Sequence, residues 1–431
     1  MRNKRLTLAL LAVCGASLTL MAGVSFEIAN DHPNMLYRVG ETATFTVTAM
    51  DGDKPATTGA VEVVLDNFGA SVQLSNRVDL ACGNPFTVRG SLAEPGFLRL
   101  TLGSGAAWRH WSVGYDPEKI VKGSPSPADF DEFWAAARAK LAKEVPLDAK
   151  LTKVPERSTA DFDYYRISFA TFGRRVYGFM SVPTDKTKSP YPVEFSVAPA
   201  GLGGWSNRME GAKDRIVVFF SVFPWAPQWD WEELGLKGAY DCMVEACRLK
   251  YGVSGYWAAG LSESREAYFY YPVLLGLDRA VDYIAERPDV DRRRFRYQGT
   301  SQGGGFGFFL TALNHTFTRA VFFVPAITDT MGSLKGRQSG WPQPVENQRE
   351  ENRASAAAFA PYFDGANFAS RIACPVRVAV GLADDTCPPC AVYAAYNEIP
   401  VEDKAIVLGA GMTHACFQEF YTELMDWLAE D

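Results

Sequence analysis

Residues 297–305 read Tyr297-Gln298-Gly299-Thr300-Ser301-Gln302-Gly303-Gly304-Gly305, and this stretch decides how the rest of the chain is read. Gly299-Thr300-Ser301-Gln302-Gly303 fits Gly-x-Ser-x-Gly, the pattern of a strained turn that joins a buried strand to a helix and lifts a serine hydroxyl above the sheet. Glycine is needed on both sides of such a serine because a Cβ there collides with the neighbouring strand or helix. The next residue, Gln302, offers a backbone N–H at a helix N-terminus, where an oxyanion is stabilised. The flanks agree: Phe295 and Tyr297 alternate with Arg294 and Arg296 before the turn, and Phe306 to Leu313 predicts a helix after it. The bland alternative is a glycine-rich turn with an incidental serine. A chain with 37 glycines can produce the pentapeptide by chance, so support must come from elsewhere.

Outward from this turn, the length of 431 residues allows two or three domains with large cores. A composition of 47% hydrophobic and 22% charged residues is that of a globular protein. The formal charge of −7 argues against a nucleic-acid partner held by phosphate contacts. Residues 1–22 read as a secretory signal: Arg2, Lys4 and Arg5 precede the apolar run Leu6 to Val13, and small residues around Ala22 to Ser25 offer a cleavage site. Leu11-Ala12-Val13-Cys14 resembles a lipoprotein box, but Val13 is bulky for the position before the cysteine, which argues against lipidation. No other apolar stretch is long enough for a stable membrane span. An exported protein, periplasmic or secreted, is expected. Removing Cys14 with the signal leaves 8 − 1 = 7 cysteines, so at least one thiol has no intramolecular partner. Cys387-Pro388-Pro389-Cys390 has redox-motif spacing but lies far from any thioredoxin-like start; a structural cysteine or a local bridge is expected.

Residues 23–115 read as β structure. Ala43, Phe45, Val47 and Ala49 alternate with threonines up to an Asp51-Gly52 turn. Val61, Val63 and Leu65 share one face, as do Leu98, Leu100 and Leu102. Short alternating strands separated by turns predict an immunoglobulin-like β-sandwich, without a second cysteine to pair with Cys82. His32 and His110 read as surface or packing residues. A linker with Pro117, Gly123, Pro125 and Pro127 follows, so the sandwich is expected to fold separately. Within 116–431, Ser126 is expected to cap a helix with Pro127 at its first position. Phe130, Phe133, Trp134, Ala137 and Leu141 recur on its face. Tyr164–Phe169 and Val176–Val182 predict a hairpin through Phe172-Gly173. Buried-type strands are expected at 193–198, 216–222, 321–324, 376–380 and 405–408, and helices at 271–285 and 415–428. Strands alternating with helices imply an α/β fold with a mostly parallel central sheet.

A serine nucleophile needs a base, and the base an orienting acid. The chain has four histidines: His32, His110, His315 and His414. His315 falls at the far end of the helix behind the turn. His414 follows the last predicted strand, where α/β-hydrolases carry their base, and their chain order is Ser, acid, His. The strand at 376–380 leads into Gly381-Leu382-Ala383-Asp384-Asp385, and either aspartate can serve as the acid; the other is then a solvated turn residue.

From about residue 126 the chain resembles the acetyl xylan esterase / cephalosporin C deacetylase family of α/β-hydrolases. The resemblance runs through Pro127-Ala128-Asp129-Phe130-Asp131-Glu132-Phe133-Trp134, Asp278-Arg279-Ala280-Val281 and Arg287-Pro288-Asp289-Val290-Asp291. It continues in Thr300-Ser301-Gln302-Gly303-Gly304-Gly305, Gly381-Leu382-Ala383-Asp384, Cys387-Pro388-Pro389 and Ala394-Ala395-Tyr396-Asn397. It implies Ser301 as nucleophile, His414 as base and Asp384, three residues before Cys-Pro-Pro, as acid. It also implies an oxyanion hole made by Gln302 and by Gly201, where the family usually has tyrosine, and a homo-oligomer. The chain departs from the family at Phe223-Pro224-Trp225-Ala226-Pro227, which replaces an Arg-Gly-Gln segment, at His414-Ala415, where the family has His-Glu, and in its additional amino-terminal sandwich.

The expectation is an exported serine esterase that removes acetyl or similar small acyl groups from carbohydrates such as xylo-oligosaccharides, without metal or organic cofactor. The rivals are another ester or amide substrate on the same residues, and a non-catalytic binding protein on a hydrolase scaffold. Trp225, Trp229 and Trp231 fall in one segment after a central strand, where indole faces can stack on a sugar ring; the alternative is that they fill core space.

Overall fold

A computed structural model describes residues 24–69, 71–105, 107–202, 210–226 and 235–430. The proposed signal, Trp229 and Trp231 lie outside the described residues. A nine-stranded sheet dominates. From edge to edge it runs Lys150–Lys153, Phe162–Thr171, Arg174–Pro183, Ile216–Ser221, Tyr191–Val197, Val290–Thr300, Arg319–Phe323, Val376–Gly381 and Lys404–Gly409. The first four strands pair antiparallel and the last six parallel. The composition explains the division. Ile216–Ser221 is buried at every residue, as a parallel strand covered on both faces must be. Lys150–Lys153, at the edge, is largely exposed and carries charge at both ends. The expected hairpin forms through Phe172-Gly173, with Gly173 at φ +64°.

Tyr191–Val197 lies between the strand that follows it and the Val290–Thr300 strand. The chain therefore leaves it toward one edge and returns on its other side. The carboxyl ends of these two strands bound a crevice of the kind where open α/β sheets bind ligands, and the loop from Pro199 and the turn at Ser301 both start there.

The helix expected from Pro127 begins instead at Phe130. Residues 127–129 form a preceding turn, with the Phe130 N–H donating to the Pro127 carbonyl (3.2 Å). The cap residues have other partners: Ser126 Oγ donates to Asn367 Oδ1 (3.1 Å), and the Asp129 carboxylate accepts from Arg265 (3.1 Å) and the Tyr362 hydroxyl. Tertiary contacts have overridden the local capping preference.

The amino-terminal region forms two sheets. One comprises Val24–Asn30, Ala43–Asp51, Lys54–Pro55 and Phe86–Gly90; the other comprises Leu36–Tyr37, Ala107–Tyr115, Gly96–Ser104, Ala60–Asp66 and Val72–Asp79. Phe45 and Val47 of the first share one core with Val63, Leu100 and Val113 of the second, so the alternation read from the sequence does point one side of each strand inward. His32 stacks on Tyr37 with ring centroids 4.1 Å apart, and His110 Nδ1 lies 3.0 Å from Thr101 Oγ1. Phe68 and Phe97 belong instead to the main core. Burying each of these rings is worth about 1.5–3 kcal/mol, so the region is docked by apolar burial as well as joined by the linker.

All seven described cysteines are free; no local Cys387–Cys390 bridge forms. Cys82 and Cys242 are exposed, and the others are buried or half-buried. Burial pushes the Cys390 and Cys374 thiols up to about 12 and Cys416 to about 11. Among the described residues no helix is long and apolar enough to cross a membrane.

Candidate active site

Ser301 stands between the Val290–Thr300 strand and the Gln302–Leu313 helix with φ 55° and ψ −121°, a conformation unfavourable for a residue with a Cβ. Its surroundings hold it there. The Ser301 N–H donates to the Phe323 carbonyl (2.9 Å), and its own carbonyl accepts from Gly305 (3.0 Å) and Ala326 (2.9 Å). The glycine requirement is steric: a Cβ on Gly299 would sit 2.4 Å from the Gly303 carbonyl oxygen, and one on Gly303 2.1 Å from that of Val197. Ser301 is 8% exposed.

His414 and Asp384 arrive from the ends of two other parallel strands. His414 Nε2 lies 2.8 Å from Ser301 Oγ, and His414 Nδ1 lies 2.8 Å from Asp384 Oδ2. Asp384 is fully buried, and its Oδ1 accepts from the N–H groups of Thr386 and Cys387, both at 2.9 Å. With Oδ1 occupied, Oδ2 is the oxygen that faces the ring. Holding the proton on Nδ1 leaves the Nε2 lone pair for the serine hydroxyl. Asp385, the other carboxylate open to choice in the sequence, is exposed. His315 is exposed on the loop beyond the helix.

Gln302 begins the helix, so its backbone N–H has no intrahelical acceptor. Its side chain has a role the sequence did not reveal. The buried amide Nε2 donates to the carbonyls of Ala198 (3.1 Å) and Pro199 (3.4 Å), and Oε1 accepts from the hydroxyls of Tyr256 (2.9 Å) and Tyr270 (2.7 Å). Burial pushes both hydroxyls far above the usual tyrosine range, which keeps them protonated as donors. The Gly201 N–H in turn donates to the Tyr256 oxygen. One glutamine thus ties the serine turn to the loop that carries Gly201. A buried amide with four bonding positions signals that partners must exist. Nothing in the sequence points to tyrosines 46 and 32 residues upstream.

Trp225 is half-buried and stacked on Phe223 with centroids 5.1 Å apart; Phe223 meets Tyr256 edge-on at 5.2 Å. Its described contacts are thus with the packing behind Gln302. Asp384, Cys387 and His414 each offer a donor atom, all within 4.8 Å of one another. They fit a metal poorly. Burial, reinforced by the Asp384 charge, pushes the Cys387 thiol well above its ordinary range, and the aspartate and imidazole already bond each other.

A mixed sheet with a serine at a strained strand-to-helix turn, beside a histidine and an aspartate from later strands, defines an α/β-hydrolase. Residues 118–431 match the family model described as acetyl xylan esterase (AXE1), and the chain belongs to that family. It is therefore a carboxylic ester hydrolase of a carbohydrate esterase family. It is 28% identical over 408 residues to the acetyl esterase Axe7A of Xylanibacter ruminicola, a match covering 92% of this chain and 88% of that protein. Two solved structures share the fold. The acetyl xylan esterase from Paenibacillus sp. R4 gives a TM-score of 0.60 at 23% identity over 72% of this chain and 97% of its own. Acetyl xylan esterase 1 from Thermoanaerobacterium sp. JW/SL YS485 gives 0.59 at 22% identity, over 72% and 96%.

Proposed function

We propose that this chain removes acetyl groups from carbohydrates such as xylo-oligosaccharides through an acyl-enzyme on Ser301. The observation that carries the reading is the unbroken contact from Ser301 Oγ through His414 to Asp384, 2.8 Å at each step. Ser301 Oγ attacks the ester carbonyl while its proton passes to His414 Nε2. Asp384 keeps the ring oriented and balances the imidazolium. The oxyanion takes the Gln302 backbone N–H, with Gly201 as second donor once its N–H exchanges the Tyr256 oxygen for the substrate. The imidazolium then protonates the departing sugar oxygen. In the second half of the cycle His414 takes a proton from water, whose oxygen attacks the acyl-enzyme, and acetate leaves as Ser301 recovers its hydrogen. Trp225, with Trp229 and Trp231, offers surface for the sugar ring. Export through the residue 1–22 signal would bring the enzyme to polymeric or oligomeric substrate. The amino-terminal pair of sheets is read as an immunoglobulin-like sandwich, residues 23–115, with the hydrolase at 116–431; homo-oligomerisation belongs to the same reading.

The test is acetate release by the purified full chain from a panel of acetylated oligosaccharides, beside an aryl acetate and an aryl amide. Acetate from the sugars is expected. Turnover of the aryl ester alone favours another ester substrate, the reading that the replaced Arg-Gly-Gln segment would support. No turnover of any ester would leave a binding protein.

A further inference from the structure

The amino-terminal sheets meet the catalytic region along a buried seam, and that seam runs beneath the two loops that carry Asp384 and His414. Ser112, 1% exposed, donates its hydroxyl hydrogen to the Leu382 carbonyl, two residues before Asp384. The neighbouring Trp111 lies against Gly411, three residues before His414. A Cβ on Gly411 would stand 2.5 Å from the indole and 3.0 Å from the Arg109 guanidinium. Gln338 bonds both sides: its N–H donates to the Phe68 carbonyl (3.2 Å) and its side-chain amide to the Asp385 carbonyl (2.7 Å). The Phe97 ring sits 5.5 Å from that of Tyr393, in the Pro389–Glu398 helix that follows the acid loop. Asn397 of the same helix donates to the linker carbonyls of Pro117 and Ile120, both at 2.9 Å.

The acid and base loops are also joined to each other. The Leu382 N–H donates to Gly409 (3.0 Å) and the Ala383 N–H to Met412 (2.9 Å). A shift at the seam therefore moves both loops, while Ser301 stays with its own strand and helix. An imidazole that must reach Ser301 and Asp384 at 2.8 Å each leaves little room for such a shift.

We propose that the amino-terminal sheets are a working part of the active site, with Ser112 and Trp111 as positioning residues that set Asp384 and His414 against Ser301. This rests on the Ser301–His414–Asp384 reading above. It makes the sheets more than a docking module tethered by a linker. The extent of similarity agrees: the family model begins at residue 118, whereas the match to the Xylanibacter acetyl esterase covers 92% of the chain and so takes in much of the amino-terminal region.

The experiment uses full-length Ser112→Ala, Trp111→Ala and Ser112→Thr with an aryl acetate, counting competent sites by titration with a fluorophosphonate. Ser112→Ala and Trp111→Ala are expected to lower kcat per titrated site by about 10- to 100-fold with KM unchanged, as misplacement of reacting groups does. Ser112→Thr, which keeps the hydroxyl, should recover most of the loss. In an Asp384→Asn background the Ser112→Ala loss should be clearly smaller, since part of it acts through the missing carboxylate. Wild-type kcat per site in both alanine variants would overturn the proposal. So would an equal Ser112→Ala loss with and without Asp384. Ser301→Ala, assayed alongside, separates the two readings: activity in that variant defeats the triad itself, whereas an inactive Ser301→Ala beside fully active seam variants defeats only the positioning role.

Discussion

The two halves of the site are held in different ways. On the nucleophile side, Ser301 is fixed by its nearest neighbours in sequence and sheet: two glycines without room for a Cβ, the helix it starts, and the Phe323 and Ala326 backbone. On the acid–base side, Asp384 and His414 ride on loops that depend on residues far away in the chain, with Ser112 bonding a carbonyl 270 residues later. Local over-determination makes the nucleophile half insensitive to the rest of the molecule. The acid–base half instead inherits its geometry from the docking of a second body, so perturbations at a distance should appear there first.

The largest effect should come from the nucleophile. Ser301→Ala is expected to abolish turnover of an aryl acetate with the circular dichroism spectrum unchanged; substantial activity in the folded variant would remove the nucleophile half altogether. Next is the acid. Asp384→Asn should lower kcat by about 10^4-fold, the scale seen when a triad carboxylate is neutralised. Asp385→Asn, on an exposed residue, should stay within a few-fold of wild type by the same assay. Equal losses would mean that the two carboxylates share the role, and that the acid–base half is less sharply built than its hydrogen bonds indicate.

Gln302→Ala probes the tie between the elbow and the Pro199–Gly201 loop. It leaves the backbone N–H but strands the buried hydroxyls of Tyr256 and Tyr270, the buried Ala198 carbonyl and the half-buried Pro199 carbonyl. A stability loss of about 1–3 kcal/mol by denaturant unfolding is expected, together with a fall in kcat. Wild-type kcat in this variant would show that the loop holds its place without the clamp. The smallest effect is reserved for Trp225. If its stacking on Phe223 is its whole contribution, Trp225→Ala should lower the melting temperature and affect aryl acetate and acetylated oligosaccharide alike. A KM rise confined to the oligosaccharide would instead place the exposed part of the ring in the sugar cleft.

The same contrast explains what the sequence could disclose. The elbow, the strand runs and the order Ser301, Asp384, His414 were legible because each depends on short patterns: glycine sterics, apolar continuity, position after a strand. The choice of Asp384 needed either family resemblance or the buried N–H groups of Thr386 and Cys387. The amino-terminal alternation showed which faces point inward, yet not that Phe68 and Phe97 point away from that core into another. The helix start moved from Pro127 to Phe130 because Asn367, Arg265 and Tyr362, distant in sequence, engage Ser126 and Asp129. The Tyr256–Gln302–Tyr270 cluster and the Ser112–Leu382 bond have no periodicity to betray them. They arise only once the chain is folded.

The distribution of thiols has a practical side. Among the described cysteines, Cys82 is exposed on the turn after the Val72–Asp79 strand and Cys242 on the Leu236–Tyr251 helix of the hydrolase, while the other five are covered to differing degrees and several are chemically muted by burial. A maleimide at neutral pH should find the two exposed thiols first. The native chain thus carries its own pair of attachment points for fluorophores, one on each side of the seam. Energy transfer between them reports, without an introduced cysteine, whether the two bodies move against each other during turnover.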